Sequence, residues 1–256
     1  MTAGIQSPST KNLLIGKGVC LLKPEGASSF YPVGNVPSLD ITPTVEKLEH
    51  FSSMEGTKTK DEVIVLSKSG TIKMTMEEVT ANNIALLMLG DVTATGYGAS
   101  IALFSRASIT SAFQFYGTND KGPRWKIDIP KVIWNPSGAF SPISDAYAKL
   151  EATGEWSALE GDFGTMTLLP EAGTTAPTNV LLPYIGGKLQ NGQTGEVFIG
   201  AWIGASGYTY QWKLSAANKG TEKTQVFDAT GSWTCVVTAT NAIGSTTATT
   251  AAVTVT

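Results

Sequence analysis

The chain has 256 residues, of which 42% are hydrophobic and 15% charged, with 27 glycines and 12 prolines. At roughly 100–150 residues per domain, this length predicts two domains. A net charge of −3 argues against nucleic-acid or anionic-membrane binding through a basic surface.

The longest apolar run, Ile84 to Leu89, is far short of the ~20 residues that span a bilayer. Met1 to Lys17 lacks a continuous apolar stretch behind a basic start, so no signal peptide is predicted and folding in a cytoplasm is expected. Cys20 and Cys235 then read as free, buried thiols.

In chain order, Gly16-Lys17-Gly18 predicts a turn before a strand with Val19 and Leu21 on one face. From Glu46 to Asp61 the alternation breaks, and a long polar loop is predicted that keeps Leu48, Phe51 and Met54. Such loops in compact domains are usually functional or mobile. Ile72, Met74 and Met76 then alternate with Thr71, Lys73, Thr75 and Glu77. Thr80 is placed to cap a helix over Ala81 to Leu89, with Ile84, Leu87 and Met88 on one stripe and Gly90 as its stop. Ile109, Ser111, Phe113 and Phe115 resume the period of two, as do Trp125, Ile127 and Ile129, then Ala148, Leu150 and Ala152. These read as half-buried strands. Asp145 to Leu159 is predicted as one extended strand with a bulge near Gly154.

Composition shifts across Leu169 to Pro177, where two prolines and small residues replace the alternation. The reading is a domain over residues 1–170, a linker over 171–177 and a second domain over 178–256. Residues 1–172 carry 14 Lys/Arg and 18 Asp/Glu, against 4 and 3 in residues 173–256. In the second domain Val197 and Ile199 mark one strand. Tyr208, Tyr210, Trp212 and Leu214 line the next, Trp233, Cys235, Val237 and Ala239 another, and Ala251, Val253 and Val255 the last. Several short strands separated by glycine-rich turns predict a β-sandwich. The fold class is therefore mainly β, with one helix in the first domain.

No catalytic, cofactor or metal site is predicted. His50 is the single histidine, and acid–base or nucleophilic chemistry of the usual kind would have to use it. Gly204-Ala205-Ser206-Gly207 lacks the spacing of a nucleophile elbow, and no Cys or His pair has ligand spacing. Leu21 stands where the third glycine of a dinucleotide fingerprint would be. Asp61-Glu62 and Glu77-Glu78 are neighbours on strands, so each pair points to opposite faces. Trp212 and Trp233 alternate with buried-type residues and read as core rather than a sugar platform; Trp202 and Tyr184 are left open.

Pro183 to Thr256 resembles the bacterial immunoglobulin-like repeats of surface proteins and phage virion proteins. The residues that carry this are Gly192-Gln193-Thr194, Ala201-Trp202, Tyr208-Thr209-Tyr210-Gln211-Trp212 and Val237 to Ser245. Trp233 stands where antibody domains have a corner tyrosine, and Val197 and Ile199 stand where the second cysteine would be, so no intradomain disulfide follows. Val197, Ile199, Trp212, Trp233 and Cys235 form the expected core.

Met1 to about Glu171 resembles the tail tube proteins of long, non-contractile phage tails. The likeness rests on the glycine-rich start, strands flanking the loop Glu49 to Asp61, the single helix, a closing strand pair near Leu169 and the appended immunoglobulin-like domain. It implies a β-sandwich or barrel-like domain that forms hexameric rings, stacked into a tube through which DNA passes unbound into the host. It further implies tape-measure and terminator proteins as partners, a virion location, and a C-terminal domain outside that touches a cell-surface glycan. The bridging loop would comprise Glu46, Leu48, Glu49, His50, Phe51, Met54, Lys58, Lys60 and Asp61. A conduit for a polyanion should be weakly acidic, and Asp40, Glu77 and Asp128 are the candidate lumen acids. Two other readings are a surface adhesin or carbohydrate-binding module, and a secretion-system tube protein.

Overall fold

The computed structural model describes residues 10–54, 56–93, 99–119, 121–170 and 173–256. They form two compact units. The first comprises Val19–Tyr116 and Trp125–Thr167; the second comprises the described parts of Met1–Gly18, Gly117–Arg124 and Leu168–Thr256.

The first unit is built on strands β1 (Gly18–Pro24), β2 (Tyr31–Pro32), β3 (Ser38–Ser52), β4 (Thr59–Met76), β7 (Ile109–Gly117), β8 (Trp125–Pro136), β9 (Leu150–Trp156) and β10 (Thr165–Leu168). Helix α1 (Ala81–Leu87) follows β4, and the short strands β5 (Asp91–Val92) and β6 (Ile101–Ala102) pair with each other. The large sheet has the order β2-β1-β7-β8-β9-β4-β3, with β10 also bordering β8. Period-two alternation sends Leu22, Met74, Phe113, Val132, Trp134 and Leu150 into one core, where none is more than 1% exposed. Each such burial contributes roughly 1.5–3 kcal/mol. Leu86 and Leu87 of α1 join the same cluster.

Thr80 caps the helix as predicted, its hydroxyl accepting the Asn83 N–H at 3.2 Å. The helix stops earlier than expected, at Leu87, and the left-handed residue is Leu89, with φ of +46°. Gly90 serves another purpose: a Cβ there would meet the Ala102 carbonyl oxygen at 2.7 Å. The strand expected over Asp145 to Leu159 is only Leu150–Trp156, and its register runs unbroken through Gly154. Gly154 is no bulge. Its missing side chain leaves room for Val132 and Trp134, which a Cβ would meet at 2.3 and 2.9 Å.

In the second unit, Ile15 bridges to Lys121, and the Thr118 N–H donates to the Lys17 carbonyl at 2.8 Å. The buried Arg124 guanidinium donates to the Pro170 carbonyl at 2.5 Å. The C-terminal sheets follow. Strands β11 (Thr178–Leu181) and β14 (Ala201–Ile203) pair; β12 (Tyr184–Gly187), β13 (Thr194–Phe198) and β17 (Thr224–Val226) form a second sheet. The third has the order β16 (Ala217–Asn218), β15 (Gly207–Leu214), β18 (Gly231–Thr240), β19 (Ser245–Thr249), with β20 (Val253–Val255) also on β18. Side chains from the second and third sheets share one core, the sandwich packing predicted for this region.

Trp212, Trp233, Cys235 and Val197 are fully buried there. Phe227 packs edge-on to both Trp212 and Trp233, at 6.1 and 5.1 Å between ring centroids. Ile199 lies just past β13 yet packs against this core. Trp202 is 8% exposed and belongs to it too. Tyr184 is 51% exposed and stacks on Phe198, ring centroids 4.8 Å apart.

Candidate functional site

The feature without an internal structural purpose is the outer half of the β3–β4 hairpin. The segment read as a loop is mostly strand: β3 runs to Ser52 and β4 starts at Thr59. Of the predicted loop residues, Glu46, Leu48, Glu49, His50 and Phe51 lie on β3, Lys60 and Asp61 on β4, and Met54 and Lys58 in the turn. Polar and apolar side chains share both faces of this ribbon, and that hid its period of two.

Register defines the two faces. One carries the pairs Val45–Lys68, Lys47–Val65, Glu49–Val63 and Phe51–Lys60; the other carries Glu46–Ser67, Leu48–Ile64 and His50–Glu62. Register shifts at Glu46/Lys47 and at His50/Phe51 keep these pairs together. Lys60 pairs with Glu49, the His50 ring nitrogen lies 2.6 Å from Asp61, and the Ser67 hydroxyl donates to Glu46 at 2.8 Å. All of these groups are exposed, so each contact contributes little stability.

The apolar residues are also exposed. Val45, Phe51, Val63, Ile64 and Val65 are 46–48% exposed, Leu48 56%, Leu66 60% and Met54 93%. Sequence reasoning missed Val45 and the run Val63 to Leu66. Three consecutive β-branched residues, Val63 to Val65, following Glu62 were the available signal.

Strand β9 covers β4 only from Gly70 to Met76. Beyond Gly70, β4 extends by eleven residues paired with β3 alone. A two-stranded ribbon exposed on both faces is marginal by itself. The arrangement therefore presents both apolar surface and unpaired backbone.

The candidate lumen acids do not form one cluster. Asp40 is on the outer face of the sheet, in the cross-strand row Asp40–Lys73–Thr153. The adjoining rows are Ser38–Thr75–Glu151 and Thr42–Thr71–Glu155. This face is rich in hydroxyls, and Lys73 sits 3.7 Å from Glu151. Asp128 is engaged by Lys126 at 2.7 Å and by the Gln114 amide at 2.6 Å. Glu77 lies just past the end of β4 and accepts from the Asn35 amide at 2.6 Å.

Other surfaces offer less chemistry. A groove of about 520 Å³ beside β7 has Phe30, Ala112, Ile133 and Leu159 in its lining, together with Lys23 and Lys131. No histidine or cysteine lines it. Asp91 is held below the usual carboxylate range by the Ser105 hydroxyl at 2.9 Å and the Arg106 guanidinium at 2.5 Å. Burial pushes the Cys20 thiol up to about 12 and Cys235 up to about 11, which makes both poor nucleophiles. Among the described residues no group of three His, Cys, Asp or Glu side chains is placed to hold a metal ion. No helix is long and apolar enough to cross a membrane.

No curated protein matches the chain. Residues 13–99 match a family described as Protein of unknown function UCP028589, a stretch that includes β1 through β5 and the whole hairpin.

Proposed function

We propose that the chain is a structural subunit that assembles with copies of itself, and that the assembly is the tail tube of a long, non-contractile phage tail. The observation that carries this reading is the β3–β4 ribbon. It places eight large apolar residues in water on an element that has no partner in its own unit. The largest contiguous apolar patch on a typical monomer is roughly 300–600 Å² and is often functional, and here exposed apolar side chains occupy both faces and the turn of one ribbon.

In this reading the rings are hexameric and stack, and the hydroxyl-rich outer face of β3, β4 and β9 suits a wall that DNA slides past. With Asp40, Glu151 and Glu155 against Lys73, that face is mildly acidic, and a polyanion gains no row of fixed cations to hold it. The C-terminal sandwich is displayed outside, where the Tyr184–Phe198 pair is the aromatic surface it offers to a glycan. The protein performs no catalysis.

Electron microscopy of the purified chain over a range of concentrations tests the proposal. Rings or tubes are expected, and they should vanish when Ile64 and Val65 are both changed to Ser while the monomer keeps its melting temperature. A chain that stays monomeric at every concentration would overturn it.

A further inference from the structure

The sheet of the first unit forks. Up to Gly70 and Trp156, β4 and β9 are paired. Past that point β9 has ended, and β8 is bordered on the vacated side by β10. β7 occupies the opposite edge of β8 from Lys126 to Ile129, so β10 lies on this side, where a Cβ on Gly164 would be 2.2 Å from the Asp128 carbonyl oxygen. Among the described residues, no strand pairs with the far edge of β10 or with the edge of β4 opposite β3 between Thr59 and Ser69. The fork thus leaves two free edges in one unit.

The two edges match. On β4 the stretch Val63-Ile64-Val65-Leu66 has no charge, proline or glycine; on β10 the four residues Thr165-Met166-Thr167-Leu168 have none either. All eight are exposed, with Met166 at 62% and Leu168 at 56%. Proteins normally blunt free edges with charge, proline or a bulge. The outer edge of β3 shows such blunting. Pro43 interrupts it, because a proline survives inside a ladder only where its missing N–H points away from the neighbour. Glu46, Lys47, Glu49 and His50 follow. The unblunted stretches are Val63–Leu66 of β4 and Thr165–Leu168 of β10.

We propose that residues Val63–Leu66 of β4 pair edge to edge with β10 of a second copy of the chain. This rests on the self-assembly reading and gives it a mechanism. The two edges belong to different segments of the chain, so the contact is head-to-tail. Such a contact propagates until it closes a ring or runs on as a filament. A symmetric dimer would consume both members at once and stop. Backbone hydrogen bonds supply the affinity, and the flanking apolar side chains supply register. Edge pairing also places Met166 and Leu168 beside the exposed valines, isoleucine and leucine of β4, where neighbouring side chains on each face pack against one another.

Cross-linking the full-length chain tests this. V65C and M166C are prepared separately, mixed, assembled and treated with a short bis-maleimide. The two native thiols are buried and do not compete. Covalent dimers are expected from the mixture and from neither variant alone, and the V65C/M166C double variant should give a ladder of multimers. The double variant treated as a dilute monomer should give no internal link; such a link would mean that the two edges meet within one copy, and would overturn the inference. Particles that form normally while the mixture gives no dimers would overturn it too, leaving the self-assembly reading intact. If the wild-type chain forms no particles under any condition, both fall together. A second variant, M166K, should leave the monomer's melting temperature unchanged and reduce assembly at least tenfold. Undiminished assembly would count against β10 as the recipient.

Discussion

The indole N–H of Trp134 on β8 donates to the hydroxyl of Ser111 on β7 at 2.7 Å, and the two residues are 1% and 2% exposed. Ser111 sits at the irregularity where the β7–β8 register shifts before Phe113. Ser111→Ala would leave a buried donor unpaired, which costs about 1–3 kcal/mol. Chemical denaturation should show that loss with an unchanged m-value. A variant as stable as the wild type would mean that the indole finds another acceptor.

The Asp91 carboxylate has a sign that can be worked out. Its folded pKa is depressed, first by the Ser105 hydroxyl and then by Arg106. The stabilisation is therefore present above the unfolded value of about 3.9. It is lost as pH falls through the lower, folded value. Asp91→Asn should lower the melting temperature at neutral pH, and the gap should close in acid below pH ~4. A gap that stays constant down to strongly acidic pH would refute this assignment.

Hydrogen exchange reads the fork directly. In the dispersed monomer, the amides of β4 between Gly70 and Met76 have neighbours on both sides and should exchange slowly. Those from Thr59 to Ser69 should exchange fast, since a ribbon with few buried contacts opens locally at little cost. Assembly should protect the outer segment. Equal protection along all of β4 in the monomer would show that the ribbon is already covered.

Much of the fold was legible because one face of most strands is buried. Met74, Phe113, Leu150, Trp212 and Cys235 point inward at every second position, and that signal survives in a single sequence. The hairpin was illegible for the same reason. Neither of its faces is buried, so selection has not sorted Leu48 from His50 or Val63 from Glu62. Its strands read as polar loop, although Phe51 and Met54 were rightly singled out as apolar residues on it.

Glycines misled in another way. Gly90 and Gly154 look like a helix stop and a bulge, yet each marks a close approach by a residue distant in sequence, which only the fold reveals. The lumen acids were chosen by strand parity alone. Parity places Asp40 correctly on the outer face but says nothing of the partners that engage Asp128 and Glu77.

The run Val63 to Leu66 is flanked by Lys60-Asp61-Glu62 on one side and Lys68 on the other. Short, uncharged β-forming tetrads stick to one another, and charges at their ends act as gatekeepers that slow the process without abolishing it. Under the proposed self-assembly, a chain that keeps such a segment in water carries a standing risk of amorphous aggregation, set by its concentration and its time as a monomer. The chain's net charge of −3 adds repulsion between copies, which salt weakens. Ionic strength thus becomes the handle on the choice between ordered growth and precipitate, with low salt favouring the soluble subunit.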